Sequence, residues 1–258
     1  MTQRVGVHEY GGIQQIREKY QRGELSPVTV VGRCFEEVGR LNGEFRAVVT
    51  PMKDAAMVQA RASEARYKAG KSLGPMDGIP VTIKDSFAVA GAVFTSGSKL
   101  FATRQAEEDA DVVRHLKAAG AIIIGKTNLS ELTMCLTSDN PVFGTVPNPL
   151  RKDLDAGGSS SGDAVAVKLG MSKVGIGSDL GGSLRVPAAW VGDYSIKPTP
   201  GCVPTGGHFP SAWHGIAVAG ALAGSAEDLA VAFDTIARPS ATDATSAPLN
   251  LSSERKSN

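Results

Sequence analysis

Three segments of the chain carry residue types that could do chemistry together. The first ends at Lys84, which closes the apolar run Val81-Thr82-Ile83. Taking an ammonium out of water at the end of a buried strand disfavours its charge, lowers its pKa and lets it act as a base near neutral pH. The same position also suits a lysine that snorkels, its stem on apolar surface and its head in water. The second segment, Gly157–Gly162, reads Gly-Gly-Ser-Ser-Ser-Gly. Its composition fits a flexible linker or an anion-binding loop at a helix N-terminus. The apolar Ala164-Val165-Ala166-Val167 that follows at once weighs against a linker. A Walker phosphate loop is excluded, because no Gly-Lys-Ser/Thr follows at the required spacing. The third segment, Gly177 to Pro187, passes through Leu180-Gly181-Gly182-Ser183. Successive backbone N–H groups, two of them on residues without side chains, suit an oxyanion hole. Taken alone, Gly-Gly is more often an ordinary tight turn.

The flanking patterns show what must hold these segments. Ile13 to Tyr20 reads as helical and Gly23 breaks it. Ser26-Pro27 is an N-cap with Pro at N1, and Val28, Val31, Phe35, Val38 and Leu41 recur at close to 3.6 residues until Asn42-Gly43. Pro51 opens a surface helix from Met52 to about Lys68, stopped by Gly70. Val81-Thr82-Ile83 reads as a buried strand, Asp111–Ala119 as a helix, and Ala121–Gly125 as a second buried strand by its β-branched run. A helix is expected from Leu129, capped by Asn128 or Ser130. Thr137–Asp155 is a long loop marked by Asn140-Pro141 and Asn148-Pro149, a length more often functional than idle. Gly162–Gly170 reads as a short helix and Lys173–Gly177 as a strand. Val186-Pro187 starts another element, Tyr194–Lys197 reads as a strand, and Ser225–Asp228 caps a last amphipathic helix through Ile236. Alternating helices and strands predict an α/β fold, a mixed sheet covered by helices on both faces. After Arg238 the chain is polar with little apolar content, and residues 238–258 are expected to be a disordered tail.

The bulk numbers bound the function. The 258 residues are 42% hydrophobic and 21% charged, enough for a sizeable core. The net charge of +1 supplies no electrostatic reason to expect a nucleic acid or an anionic membrane as partner. Cys34, Cys135 and Cys202 form no C-x-x-C, which argues against a disulfide framework or a Cys₄ zinc site and fits a reducing compartment. His8, His115, His208 and His214 have no metal-binding spacing, so no metal or other cofactor is expected. No signal-peptide pattern and no apolar run long enough to span a bilayer is visible, which makes the cytoplasm the default location.

Together the three segments resemble the amidase-signature family. Its G-G-S-S-x-G, G-x-D-x-G-G-S-[LI]-R-x-P-A and K-P-T patterns stand here as Gly157–Gly162, Gly177–Ala188 and Lys197–Thr199. Gly78–Asp85, Gly125–Asn128 and Asn140–Gly144 are similar to the family's flanks, and Lys84, Ser159 and Ser183 keep its spacing. The resemblance runs from about residue 12 to about residue 237. It implies an amidase-signature domain over residues 1–237, the N-terminal, catalytic part of the fold, with the C-terminal portion missing. Such a half-sheet is expected to expose apolar surface and an unpaired strand edge.

The resemblance also implies roles. Ser183 is the nucleophile, Ser159 the bridging serine joined to Gly158 by a cis peptide, and Lys84 the base. The N–H groups of Leu180, Gly181, Gly182 and Ser183 form the oxyanion hole. Gly158, Ser160, Asp179 and Arg185 support the site, and a structural ion pair is the simpler reading of the last two. The implied activity is hydrolysis of a small-molecule carboxamide through an acyl-enzyme, the lysine doing what histidine does in the better-known triad. Two alternatives are a glutamine-hydrolysing amidase component of a tRNA-dependent amidotransferase and a catalytically silent remnant. A homodimer is the candidate oligomer. Asp163 departs from the family pattern: a carboxylate in a first helical turn suits the helix dipole, and it would also raise the pKa of a nearby lysine.

Overall fold

The computed structural model describes residues 5–211, 215–241 and 243–247. Helices α1 (Ile13–Gln21) and α2 (Pro27–Phe45) precede a short strand β1 (Val48–Pro51). The predicted cap of α2 is made: the Ser26 hydroxyl accepts from the N–H of Val28 at 3.0 Å, with Pro27 at the first helical position. This helix runs past Asn42-Gly43 to Phe45 and stops at Arg46, which is in the left-handed region. Asn42 instead uses its carboxamide to bond the N–H and carbonyl of Val48, tying α2 to β1. Next come α3 (Lys53–Lys68), β2 (Pro80–Lys84), α4 (Asp111–Ala118) and β3 (Ile122–Thr127). The second half holds α5 (Ser161–Lys168), β4 (Val174–Asp179), α6 (Arg185–Val191), β5 (Tyr194–Ser195), β6 (Val218–Ala223) and α7 (Ala226–Ile236). The predicted cap of α7 is present, the Ser225 hydroxyl accepting from the N–H of Asp228.

The strands form one mixed sheet in the order β1-β3-β2-β4-β6-β5. Its centre is parallel, with Val81 opposite Ile123 on one side and Val174 on the other; β1, β6 and β5 run antiparallel to their neighbours. Two apolar cores lie against it. The larger gathers Ile16, Val31, Ala60, Leu116 and Ile236 from α1, α2, α3, α4 and α7 with Ile83, Ile123 and Ile176 of the sheet. The smaller packs Val165 and Val191 of α5 and α6 against Val48 and Leu222. Fully burying side chains of this size is worth about 1.5–3 kcal/mol each, so the two cores hold the strand ends in place. Large apolar side chains also stay exposed, among them Met134, Leu136, Trp190 and Ile216. No helix among the described residues is long and apolar enough to cross a membrane.

Two readings of the sequence change, and two strands are added to it. The expected helix from Leu129 is a single 3-10 turn, Glu131–Thr133, with Leu132 at φ 51°. Asn128 is not its cap: its carboxamide ties Arg46 and Gly144, and Ser130 bonds the carbonyl of Cys135. Strands β1 and β6 carry no clear alternation; β6 is Val-Ala-Gly-Ala-Leu-Ala, buried on both sides. The chain after Arg238 does not detach at once. Asp243 accepts from the N–H of Thr205 at 2.7 Å, and Ala247 donates to the carbonyl of Gly201 at 2.9 Å, because short polar side chains can dock through hydrogen bonds without an apolar core. Residues 248–258 of the predicted tail, and His214, lie outside the described residues.

Candidate active site

The parallel pairing of β2 with β4 puts the ends of both strands at one edge of the sheet. Lys84 is the last residue of β2, and Ser178-Asp179 closes β4. Lys84 is fully buried and its Nζ lies 2.6 Å from Ser159 Oγ and 3.1 Å from Ser178 Oγ. The snorkelling alternative is therefore out, since the amine does not reach bulk water. Burial lowers its pKa to about 7, against the opposing charges of Asp163 and Asp179.

A second buried lysine differs from Lys84 in its partners. Lys126, on β3, forms a wholly buried ion pair with Asp85 at 2.9 Å. Asp85 also accepts from the N–H and the hydroxyl of Thr95, each at 2.8 Å. Burial lowers the Lys126 pKa while Asp85 raises it. Lys126 is thus closed by a carboxylate, whereas Lys84 faces hydroxyls.

Ser159 and Ser160 lie immediately before α5. The Gly158–Ser159 peptide is cis, and the N–H of Gly158 donates to the carbonyl of Leu136 at 2.7 Å. A Cβ at Gly158 would lie 2.1 Å from the carbonyl oxygen of Thr137, so only glycine fits. Ser160 donates its N–H to the carbonyl of Ser183 at 3.1 Å, which brings the third segment beside the second. Ser183 is 5% exposed and Ser159 is fully buried. Among the described residues the Ser183 hydroxyl makes no hydrogen bond. Lys84 Nζ and Ser159 Oγ are in contact, and no hydrogen bond joins Ser159 to Ser183 among the described residues.

Asp179 shapes the turn. It is fully buried and takes a two-pronged contact from Arg185, with Nε at 2.9 Å and Nη2 at 2.8 Å. The N–H groups of Gly182 and Leu184 also donate to it, at 2.8 and 3.1 Å. Burial raises its pKa, but Arg185 and these amides outweigh that and hold the carboxyl below its ordinary value. This narrows the expected donor set: the Gly182 N–H is engaged by Asp179. The N–H groups of Leu180, Gly181 and Ser183 donate to no group among the described residues.

Two further residues stand at the site. Asp163 stands out in the sequence as a departure from the family pattern that would raise a nearby lysine's pKa, and Lys84 is that lysine. It is fully buried in the first turn of α5, and Thr127 Oγ1 donates to its Oδ1 at 2.7 Å. Burial pushes its carboxyl up to about 7, opposed by Thr127 and by the charges of Lys84 and Lys126. His208 comes within reach of Lys84 through Ser178, its Nε2 lying 3.0 Å from Ser178 Oγ. No local pattern marks His208, because the contact is made across the sheet edge by a loop.

Comparison with known proteins identifies the family. Residues 29–258 match the Amidase family. The chain is 36% identical over 241 residues to a mitochondrial glutamyl-tRNA(Gln) amidotransferase component from Ixodes scapularis, covering 91% of this chain and 47% of that protein. It is 39% identical over 212 residues to the putative amidase AmiB2 of Mycobacterium tuberculosis, covering 82% and 45%. The chain therefore spans about half the length of the curated relatives it matches. Among solved structures, the native peptide amidase of Stenotrophomonas maltophilia superposes with a TM-score of 0.85 at 30% identity, over 94% of this chain and 51% of that one. A structure described as a vestigial complex bearing on the origins of an s-triazine catabolic enzyme superposes at 0.88 and 33% identity, over 92% and 52%. The motifs, the mixed sheet and these matches lead to one conclusion: the chain belongs to the Amidase family, the amidase-signature enzymes it resembles in sequence.

Proposed function

We propose that this chain carries the catalytic machinery of an amidase that cleaves a carboxamide C–N bond through Ser183, Ser159 and Lys84. The observation that carries the reading is the buried Lys84 amine, 2.6 Å from Ser159 Oγ, with its pKa lowered to about 7. A neutral amine there accepts the Ser159 proton while Ser159 accepts that of Ser183, and Ser183 Oγ forms a bond to the amide carbonyl carbon. The carbonyl π electrons move to oxygen, and the free N–H groups of Leu180, Gly181 and Ser183 receive that charge. When the tetrahedral species collapses, the C–N bond breaks and the proton returns through Ser159 to the departing nitrogen, which leaves as an amine. Water then adds to the acyl-enzyme by the same relay, releasing the acid and restoring Ser183.

Labelling with a fluorophosphonate tests this. The expected result is a covalent adduct on Ser183 that is lost in Ser183→Ala and slowed by orders of magnitude in Lys84→Ala. A folded wild-type chain that takes no label would support the silent remnant instead. The similarity to an amidotransferase component favours a second substrate reading, glutamine as ammonia donor; release of ammonia from free glutamine, against simple carboxamides, separates the two.

A further inference from the structure

The hydroxyl of Ser178 stands between two nitrogen atoms, Lys84 Nζ at 3.1 Å and His208 Nε2 at 3.0 Å. The other ring nitrogen, His208 Nδ1, is 3.2 Å from the carbonyl oxygen of Pro210. A carbonyl oxygen can only accept, so Nδ1 carries the hydrogen; in a neutral ring Nε2 then carries the lone pair. Burial, with Lys84 close by, lowers the His208 pKa to about 3 and keeps the ring neutral. Phe87 packs edge-on against the imidazole, centroids 4.7 Å apart at 65°, and fixes its orientation.

The polarity of the chain follows from that tautomer. Nε2 accepts the Ser178 hydrogen. The Ser178 oxygen, its own hydrogen committed, accepts an N–H from Lys84. A neutral amine has two hydrogens and one lone pair, so the lone pair is left free for Ser159, 2.6 Å away. A ring of the opposite polarity would make Ser178 donate to Lys84 and occupy the lone pair the relay needs.

We infer that His208 is a positioning residue: acting through Ser178, it orients the Lys84 amine so that its lone pair faces Ser159. The inference rests on the amidase reading of Lys84, Ser159 and Ser183. It separates cleanly from a substrate-contact role, which the cleft beside Ser178, lined by Thr205, His208 and Pro210, also allows. A substrate contact shows in affinity; a group that orients the base shows in the rate of the chemical step.

The test is the saturation kinetics of Ser183 labelling by a fluorophosphonate in wild type, His208→Phe, His208→Gln, Ser178→Ala and the Phe/Ala double variant. The expected result is a maximal labelling rate lowered about 10- to 100-fold by Phe, as for other partners that orient a functional side chain, with little change in half-saturation. Gln, whose carboxamide oxygen can accept from Ser178, recovers much of the rate. The double variant is no slower than Ser178→Ala, since both changes cut one chain. Multiplicative losses, or a change confined to half-saturation, would overturn the inference while leaving the amidase reading intact. An unlabelled wild type would bring down both. Should the variants fail to fold, imidazole ¹⁵N spectra of the wild type decide: hydrogen on Nδ1 supports the inference, and hydrogen on Nε2 sinks it.

Discussion

Ser160 donates its N–H to the carbonyl of Ser183 at 3.1 Å, and this one backbone bond joins the two serine segments. Ser159 precedes that donor by one residue, and Asp179 anchors the turn that carries the acceptor. Ser159 and Ser183 are therefore held beside each other by main chain. Lys84 arrives independently, at the end of a strand fixed on both sides by neighbours.

Activity is expected to rise with pH through about 7 and then level off. Below its pKa Lys84 is charged and has no lone pair, so the labelling rate of Ser183 falls about tenfold per pH unit. A negative Asp163 favours the charged amine, so Asp163→Asn, which keeps an oxygen for Thr127, moves that limb to lower pH. Rate profiles of the two proteins check the sign; an unmoved limb would show that Asp163 does not act on Lys84.

Asp179→Ala is expected to slow Ser183 labelling by about 10²–10³, the range for losing an oxyanion donor, because the turn presenting those donors loses its acceptor. Arg185→Ala is milder. The Gly182 and Leu184 N–H groups still donate to the Asp179 carboxylate in the absence of the guanidinium. Comparing the two labelling rates separates the buried carboxylate from its exposed partner.

Removing one member of the buried Lys126–Asp85 pair leaves an uncompensated charge. Asp85→Ala is expected to destabilise the fold by about 3–5 kcal/mol, and a double replacement of both residues by Leu and Met to recover most of it. Denaturant unfolding measures both.

Two glycines of the signature are expected to respond in opposite ways. Gly158→Ala drives a methyl into the Thr137 carbonyl, which is backbone and cannot swing aside, so folding is lost or the loop shifts and labelling fails. A Cβ at Gly181 meets nothing within 4 Å. Gly181→Ala should leave stability within about 0.5 kcal/mol of wild type, and thermal melting reads the contrast.

What the sequence by itself determined is the set of groups bound to local pattern. The apolar run before Lys84, the caps at Ser26 and Ser225, the Gly-Ser segment before an apolar helix and the Gly-Gly turn before Ser183 are each written in adjacent residues, and each has its predicted form. Local pattern misled at Leu129, where polar side chains bond a distant loop instead of capping a helix, and it left β1 and β6 unread. Which lysine is free and which is paired was decided only by the tertiary structure, since Asp85 adjoins Lys84 in sequence yet bonds Lys126. The same holds for Gly182, whose N–H goes to Asp179, and for His208, brought to Ser178 across 30 residues. Hydrogen-bond partners and desolvation depend on what packing places within about 3 Å, a distance that spacing along the chain does not encode.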